Sequence, residues 1–62
     1  QSPIKQIENK LVTVLEGYVV IGATDGETTF GTGETFYIKK GAEISMKTNL
    51  KTKMINVCYQ TP

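Results

Sequence analysis

The sequence predicts an all-β fold, an antiparallel barrel or sandwich built as a meander. Residues with β-branched side chains dominate it, with nine Thr, six Ile and five Val, whereas Ala and Leu are scarce. Such side chains favour a pleated, half-buried surface. Turn signals recur about every 8–12 residues, a spacing typical of sandwiches and barrels, and helical periodicity is absent after residue 11.

The elements follow from these signals in chain order. Residues 1–10 predict either an extended arm or a short helical turn with Ser2 as N-cap and Pro3 at the first helical position. Residues 11–62 predict the β domain. The Asp25-Gly26 pair is typical of a hairpin turn. The expected turn glycines are Gly17, Gly26, Gly33 and Gly41, and strands are predicted at 11–15, 18–22, 28–30, 35–39, 43–47 and 54–60.

Length and composition restrict how such a domain can be stabilised. A chain of 62 residues buries only about 60% of its unfolded surface, which leaves a solitary fold marginal. The single cysteine, Cys58, excludes an internal disulfide, and the absence of His makes a structural zinc site very unfavourable. Association with another chain is therefore the expected source of extra stability.

Charge and hydropathy exclude several classes of partner. The net charge is only +1 and there is no Arg, so direct nucleic-acid binding is not expected. The charge is uneven, because residues 1–38 carry two Lys and five acidic residues (−3) while residues 39–62 carry five Lys and one Glu (+4). The longest apolar run, 18–21, has the length of a strand, so no membrane span is expected.

No residue pattern indicates catalysis, a metal site or a cofactor. Glu27 and Glu34 flank turns and are expected to be exposed. Cys58 lies in an apolar segment without a His to lower its pKa, so we expect a buried, inert thiol. The segment 31–33 lacks the third glycine and the helix of a dinucleotide loop. The sequence therefore predicts a protein that is not an enzyme.

A small nucleic-acid-binding β-barrel is one alternative. Such a barrel needs aromatic rings for stacking and a basic groove. Three Tyr could supply the rings and three of the Lys could supply the charge, but we expect these Tyr to be half-buried strand residues, which weakens this alternative. The residues concerned are Tyr18, Tyr37, Tyr59, Lys47, Lys51 and Lys53.

Residues 33–49 resemble the second motif of the cupin superfamily. Gly33 and Gly41 stand at its two glycine positions, and Gly17 is similar to the glycine that ends the first motif. Lys39 replaces the proline, and Ile44 stands where the metal-binding His is expected. The remaining ligand positions also carry unsuitable side chains: Ile4, Lys5, Gln6 and Lys10. The resemblance therefore implies a cupin without a metal, in which Ile44 fills the space of the ion.

Among metal-free cupins, the chain is most similar to the C-terminal domain of the centromere protein C family. The similarity lies in residues 14–17, 30–36, 41–47 and 54–60. It implies a non-enzymatic homodimerisation domain of the nucleus, at the centromere of the chromosome. It also implies a histone-assembly or other kinetochore protein as a further partner. The same hairpins resemble a small bacterial-type cupin of the ethanolamine-utilisation kind, which would be cytoplasmic and bind a small molecule.

The motifs begin late for a cupin, so the barrel or jelly roll is expected to be incomplete without a partner chain. The predicted core consists of Val14, Phe36, Ile38, Ile44 and Val57. The predicted dimer interface consists of apolar positions not needed inside, namely Tyr18, Val20, Tyr37, Met54 and Tyr59.

Overall fold

Residues 3–60 are described by the structure, a computed structural model, and they fold into seven β-strands without a helix. The strands form two antiparallel sheets. They are β1 Ile4–Lys5, β2 Asn9–Glu16, β3 Tyr18–Ala23, β4 Gly26–Gly31, β5 Thr35–Ile38, β6 Glu43–Thr48 and β7 Lys53–Tyr59. The all-β prediction is thereby confirmed.

The two sheets form a sandwich rather than a closed barrel. The four-stranded sheet has the order β1-β6-β3-β4 and the three-stranded sheet the order β5-β2-β7. Only β3 and β4 are neighbours both in the chain and in a sheet, so the predicted meander is wrong. The chain instead crosses repeatedly between the sheets, because β2 pairs with β5 and β7 while β3 pairs with β4 and β6.

The N-terminal segment is extended, so the helical turn offered as one prediction for residues 1–10 is wrong within the described residues. Ile4 pairs with Ile44 at the edge of the four-stranded sheet. The Gln6 amide donates to Ala42 O at 2.8 Å, and the Gly41 amide donates to Gln6 O at 2.8 Å. These bonds satisfy the backbone without helix formation. The proposed N-cap, Ser2, lies outside the described residues.

The hydrophobic core lies between the sheets and is formed by inward-facing residues of β2, β3, β5 and β6. It consists of Val12, Val14, Val19, Phe36, Ile38 and Ile44, which include four of the predicted core positions. The Phe36 ring stacks on that of Phe30 with 4.4 Å between centroids. Successive residues of a strand face opposite sides of the sheet, so the residues directly before and after these core positions on each strand point outward.

Val57 is the one predicted core residue that the structure places outside. Its side chain is 53% exposed. Val57 pairs with Leu11, whereas the next pair, Val12 with Asn56, belongs to the inner side. Directly paired residues share one face of an antiparallel sheet, so Val57 must point away from the core that contains Val12.

The four predicted turn glycines all have positive φ angles. Gly17, between β2 and β3, has the strongest steric requirement: a Cβ atom there would lie 2.8 Å from Thr52 Oγ1 and 3.0 Å from Thr52 Cα. The Thr52 hydroxyl lies 2.9 Å from Tyr18 O and 2.7 Å from Asn49 Oδ1. Gly17 therefore lets the loop between β6 and β7 pack against the turn between β2 and β3.

Candidate interaction surface

The outer side of the three-stranded sheet carries a continuous row of apolar side chains. Leu11, on the central strand β2, lies directly between Tyr37 of β5 and Val57 of β7. Directly opposite side chains in antiparallel strands have Cβ atoms about 5 Å apart. Ile55 and Tyr59 share this side with Val57, because they lie two residues away on the same strand. These five residues, Leu11, Tyr37, Ile55, Val57 and Tyr59, are called the apolar face below.

The apolar face is open to solvent. Leu11 is 43% exposed, Tyr37 59%, Ile55 52% and Val57 53%, and Tyr59 is half-buried. The Tyr37 and Tyr59 rings lie 6.4 Å apart. Scattered exposed apolar residues are ordinary, but a contiguous set is typical of a binding surface.

The polar side chains within this face are uncharged and partly satisfied by each other. Thr13 lies between Thr35 and Ile55, and the Thr13 and Thr35 hydroxyl oxygens are 2.9 Å apart, within hydrogen-bond distance. At one end of the sheet, Lys53 Nζ lies 3.5 Å from Glu16 Oε2. The centre of the face is therefore uncharged, and the nearest charges at that end neutralise each other.

The outer side of the four-stranded sheet is different in character. Val20 lies between Thr29 and Lys47, and Lys47 Nζ is 3.7 Å from Glu27 Oε2. Two residues after Val20 on the same strand, Gly22 leaves room for neighbouring polar side chains, since a Cβ there would lie 2.5 Å from Ser45 Oγ. Tyr18 and Val20 are the apolar side chains of this outer side, which is otherwise formed by polar and charged residues and glycines.

The five predicted interface residues do not form one patch. Tyr37 and Tyr59 belong to the apolar face, but Tyr18 and Val20 lie on the four-stranded sheet, so these two do not extend it. Met54 packs against the core because it pairs with the fully buried Val14. Met54 therefore lies on the inner side of its sheet and is not part of the apolar face.

Sequence reasoning missed three residues of the apolar face: Leu11, Ile55 and Val57. The available signal was strand parity. The sequence predicts Tyr59 on the outside, and residues two and four positions before it on the same strand face the same side. Applying this rule along β7 assigns Val57 and Ile55 to the outside and Met54 to the inside.

Cys58 is exposed, contrary to the prediction of a buried thiol. It pairs with Lys10 near the end of β7, where the inner side of the three-stranded sheet is open. The thiol lies 3.8 Å from Glu8 Oε1. An open crevice of about 540 Å³ adjoins it, lined by Ile7, Glu8, Asn9, Lys40, Cys58, Tyr59 and Gln60. The sandwich is thus uncovered at this end.

A second cavity, of about 300 Å³, lies between the edges of the two sheets and is mainly apolar. Ile44, Phe30 and Phe36 are among its lining residues, and their side chains offer no metal ligand. Within residues 3–60, no three His, Cys, Asp or Glu side chains come close enough to hold a metal ion. The chemistry of this cavity suits a small apolar molecule.

The carboxylates weighed as catalytic residues have structural contacts. Glu34 Oε1 accepts a hydrogen bond of 2.6 Å from the Gly31 amide within a turn, and Glu27 pairs with Lys47. The residues of the nucleic-acid alternative are divided between the sheets, with Tyr18 and Lys47 on one and Tyr37, Tyr59 and Lys53 on the other. The structure does not bring them together into one groove.

Comparison with known proteins yields no match: no family model, curated protein or solved structure is significantly similar to the chain. Within residues 3–60, no helix has the length and apolar character needed to cross a bilayer.

Proposed function

We propose that the protein is a non-enzymatic homodimerisation module in which a second copy covers the apolar face. The observation that carries this proposal is the contrast between the two outer surfaces of the sandwich. One presents Leu11, Tyr37 and Val57 side by side, while the other is polar and ion-paired. Burial of the first surface is favourable in water, and burial of the second would cost the hydration of its charges.

A second copy suits this surface because the centre of the apolar face is uncharged. In a twofold dimer the same patch meets itself, so any net charge within it would repel its own copy. Between Thr13, Thr35 and the five apolar residues there is no such charge. Two sheets can stack face to face at about 10 Å, with side chains of both copies interdigitating.

The size of the surface predicts a reversible dimer. The strands β2, β5 and β7 have eight, four and seven residues, and at about 4.8 Å between strands and about 3.4 Å per residue they give a footprint of roughly 310 Å². Stable complexes usually bury about 800 Å² per partner. We therefore expect a dimer with a dissociation constant in the micromolar range. Side chains around the apolar face also contribute to its interface.

The resemblance to metal-free cupins supports the same role. It implies a dimerisation role for the β domain, in a nuclear, centromeric protein of the centromere protein C type. A histone-assembly or other kinetochore protein is then the proposed further partner. Ile44, which the resemblance aligns with the metal-binding His, lines the apolar cavity and supplies no metal ligand there. We expect no stoichiometric zinc, iron, manganese or nickel in elemental analysis of the dialysed protein.

The test places one charge at the centre of each sheet. Leu11→Glu changes the middle of the apolar face, and Val20→Glu makes a comparable change on β3, one of the two inner strands of the other sheet, beside Lys47. Light scattering on a sizing column at micromolar concentration should show a mass below that of the parent for Leu11→Glu and the parental mass for Val20→Glu. Circular dichroism checks that both variants fold. A folded parent with the mass of one chain, about 6.8 kDa, or equal masses for the two variants, would contradict the proposal.

The apolar cavity favours one second candidate, the small-ligand cupin. Its volume of about 300 Å³ and its lining by Phe30, Phe36 and Ile44 suit a small apolar or aromatic molecule. Ligand binding to the native state raises the melting temperature by mass action. A saturable rise with indole would support this candidate, and a flat response over the solubility range would oppose it.

A further inference from the structure

The three-stranded sheet has a second unpartnered feature, the free edge of β7. Within residues 3–60, the β7 strand forms a ladder only with β2, so its other edge is open along Lys53–Tyr59. The four residues Ile55 to Cys58 are all exposed. The backbone N–H and C=O groups along an open edge can pair with another strand.

After Lys53, this edge lacks the features by which proteins usually prevent strand pairing. The other edge strands are shorter: β1 has two residues, β5 has four and β4 has six. β7 has seven residues and contains one charged side chain, Lys53, and no proline. Its register irregularity with β2 lies between Val14 and Glu16, at the beginning of β7, so the rest of the edge is regular.

We propose that β7 is a second self-association site, at which it pairs antiparallel with β7 of another copy about a twofold axis at Asn56. This contact goes beyond the proposed dimer. The apolar face joins two copies through their sheet surfaces, and the β7 edges remain free to join such dimers into larger assemblies.

The register follows from strand parity and length. For the apolar side chains of both copies to lie on one side of the joined sheet, paired residue numbers must sum to an even number. Among these registers, only the one centred on Asn56 pairs every residue of β7. It places Ile55 opposite Val57 of the second copy and Lys53 opposite Tyr59 of the second copy.

The chemistry of these pairs suits a self-complementary edge. Ile55 and Val57 form β-branched cross-strand pairs, which stabilise antiparallel sheets. The two Lys53 residues lie at opposite ends of the ladder, about 20 Å apart along the strands. At the twofold axis the two Asn56 side chains meet, each able to donate and accept a hydrogen bond.

Asn56 allows a direct test of this register. Directly opposite Cα atoms in an antiparallel ladder are about 4.5 or 5.5 Å apart, and both distances permit a disulfide. Asn56→Cys combined with Cys58→Ser should therefore form a covalent dimer under mild oxidation. In the parent, the two Cys58 residues would be offset by about 14 Å along the strands, so the parent should not crosslink. Thr29→Cys with Cys58→Ser, exposed on the other sheet, controls for random collision.

A second pair of variants tests the contact without a covalent bond. Asn56→Lys places two like charges at the axis, while Asn56→Thr retains a good strand residue there. In sedimentation velocity at rising concentration, Asn56→Lys should stop at the dimer, and Asn56→Thr should form the larger assemblies of the parent. Crosslinking of Asn56→Cys no faster than of Thr29→Cys, or equal assembly of Asn56→Lys and Asn56→Thr, would overturn the proposal.

The variant Leu11→Glu separates this proposal from the proposed function. Introduced into the Asn56→Cys, Cys58→Ser protein, it should leave crosslinking intact, because Leu11 is on β2 and not on the free edge. If Leu11→Glu leaves the mass unchanged and Asn56→Lys lowers it, the face dimer fails and the edge contact holds. If Leu11→Glu lowers the mass and Asn56→Lys has no effect, the edge contact fails and the face dimer holds.

Discussion

Replacing Gly17 by Ala should destabilise the fold more than the same change at Gly33, because only Gly17 is sterically confined. Both have similar φ angles, +86° and +88°, and a left-handed conformation costs an L-residue about 1–2 kcal/mol. A Cβ on Gly33 meets nothing within 4 Å, whereas on Gly17 it lies 2.8 Å from Thr52 Oγ1 and 3.0 Å from Thr52 Cα. A backbone atom at that distance cannot rotate away, so the loop must shift.

The loop shift determines the size of the effect. Thr52 Oγ1 lies 2.9 Å from Tyr18 O and accepts from the Asn49 amide at 3.2 Å. Loss of two such bonds costs about 2 kcal/mol, so Gly17→Ala should lower the free energy of unfolding by about 3–4 kcal/mol and Gly33→Ala by about 1–2 kcal/mol. The gain from a less flexible unfolded chain is the same for both and cancels in the difference.

Urea denaturation followed by far-ultraviolet circular dichroism measures this difference. Both variants and the parent should be compared at one protein concentration, because self-association contributes to apparent stability. A small domain whose free energy of unfolding is about 5 kcal/mol would be close to unfolding after the Gly17→Ala change. Equal losses at the two positions would refute the packing argument, and a larger loss at Gly33 would refute the steric comparison itself.

Three further substitutions test the assignment of inner and outer faces. Phe36→Ala should cost about 3–5 kcal/mol in urea denaturation, because this ring is buried against Phe30; a parental midpoint would contradict that assignment. Tyr37→Ala, at the next position but 59% exposed, should cost under about 1 kcal/mol and should weaken dimerisation in light scattering. Lys53→Ala removes an exposed ion pair with Glu16 and should change stability by less than about 1 kcal/mol; a larger loss would show that the pair is structurally important.

The sequence predicts the strands well because turn residues and side-chain alternation are local properties. The glycine positions define the turns, and alternation on β5 correctly separates buried Phe36 and Ile38 from exposed Tyr37. On β7 this signal is weak, since Met54 on the inner side and Val57 on the outer side are both apolar. Alternation there defines two faces without indicating which is buried.

Strand partners are the property that the sequence could not predict. The pairing of β2 with β5 and β7 depends on which surfaces bury the most apolar area together, a property of the whole fold. Consecutive strands are often neighbours in a sheet, as the expected meander requires. This tendency holds for β3 and β4 and fails for the other strands. For the same reason the sequence could not predict the apolar face, because its residues lie on three strands whose pairing is not a local property.

The pairing of β2 with β7 has a consequence for how the chain folds. The paired residues Leu11 and Val57 are 46 positions apart in the chain. In contrast, β3 and β4 form a local hairpin that closes at the pair of Ala23 and Gly26. Such non-local sheets fold slowly, on the scale of milliseconds to seconds. At about 5–20 residues per second, a ribosome needs roughly 2–9 s to extend the chain from residue 11 to residue 57. During that interval β2 has no β7 to pair with, so a nascent chain exposes Leu11 and an open strand edge to other nascent chains nearby.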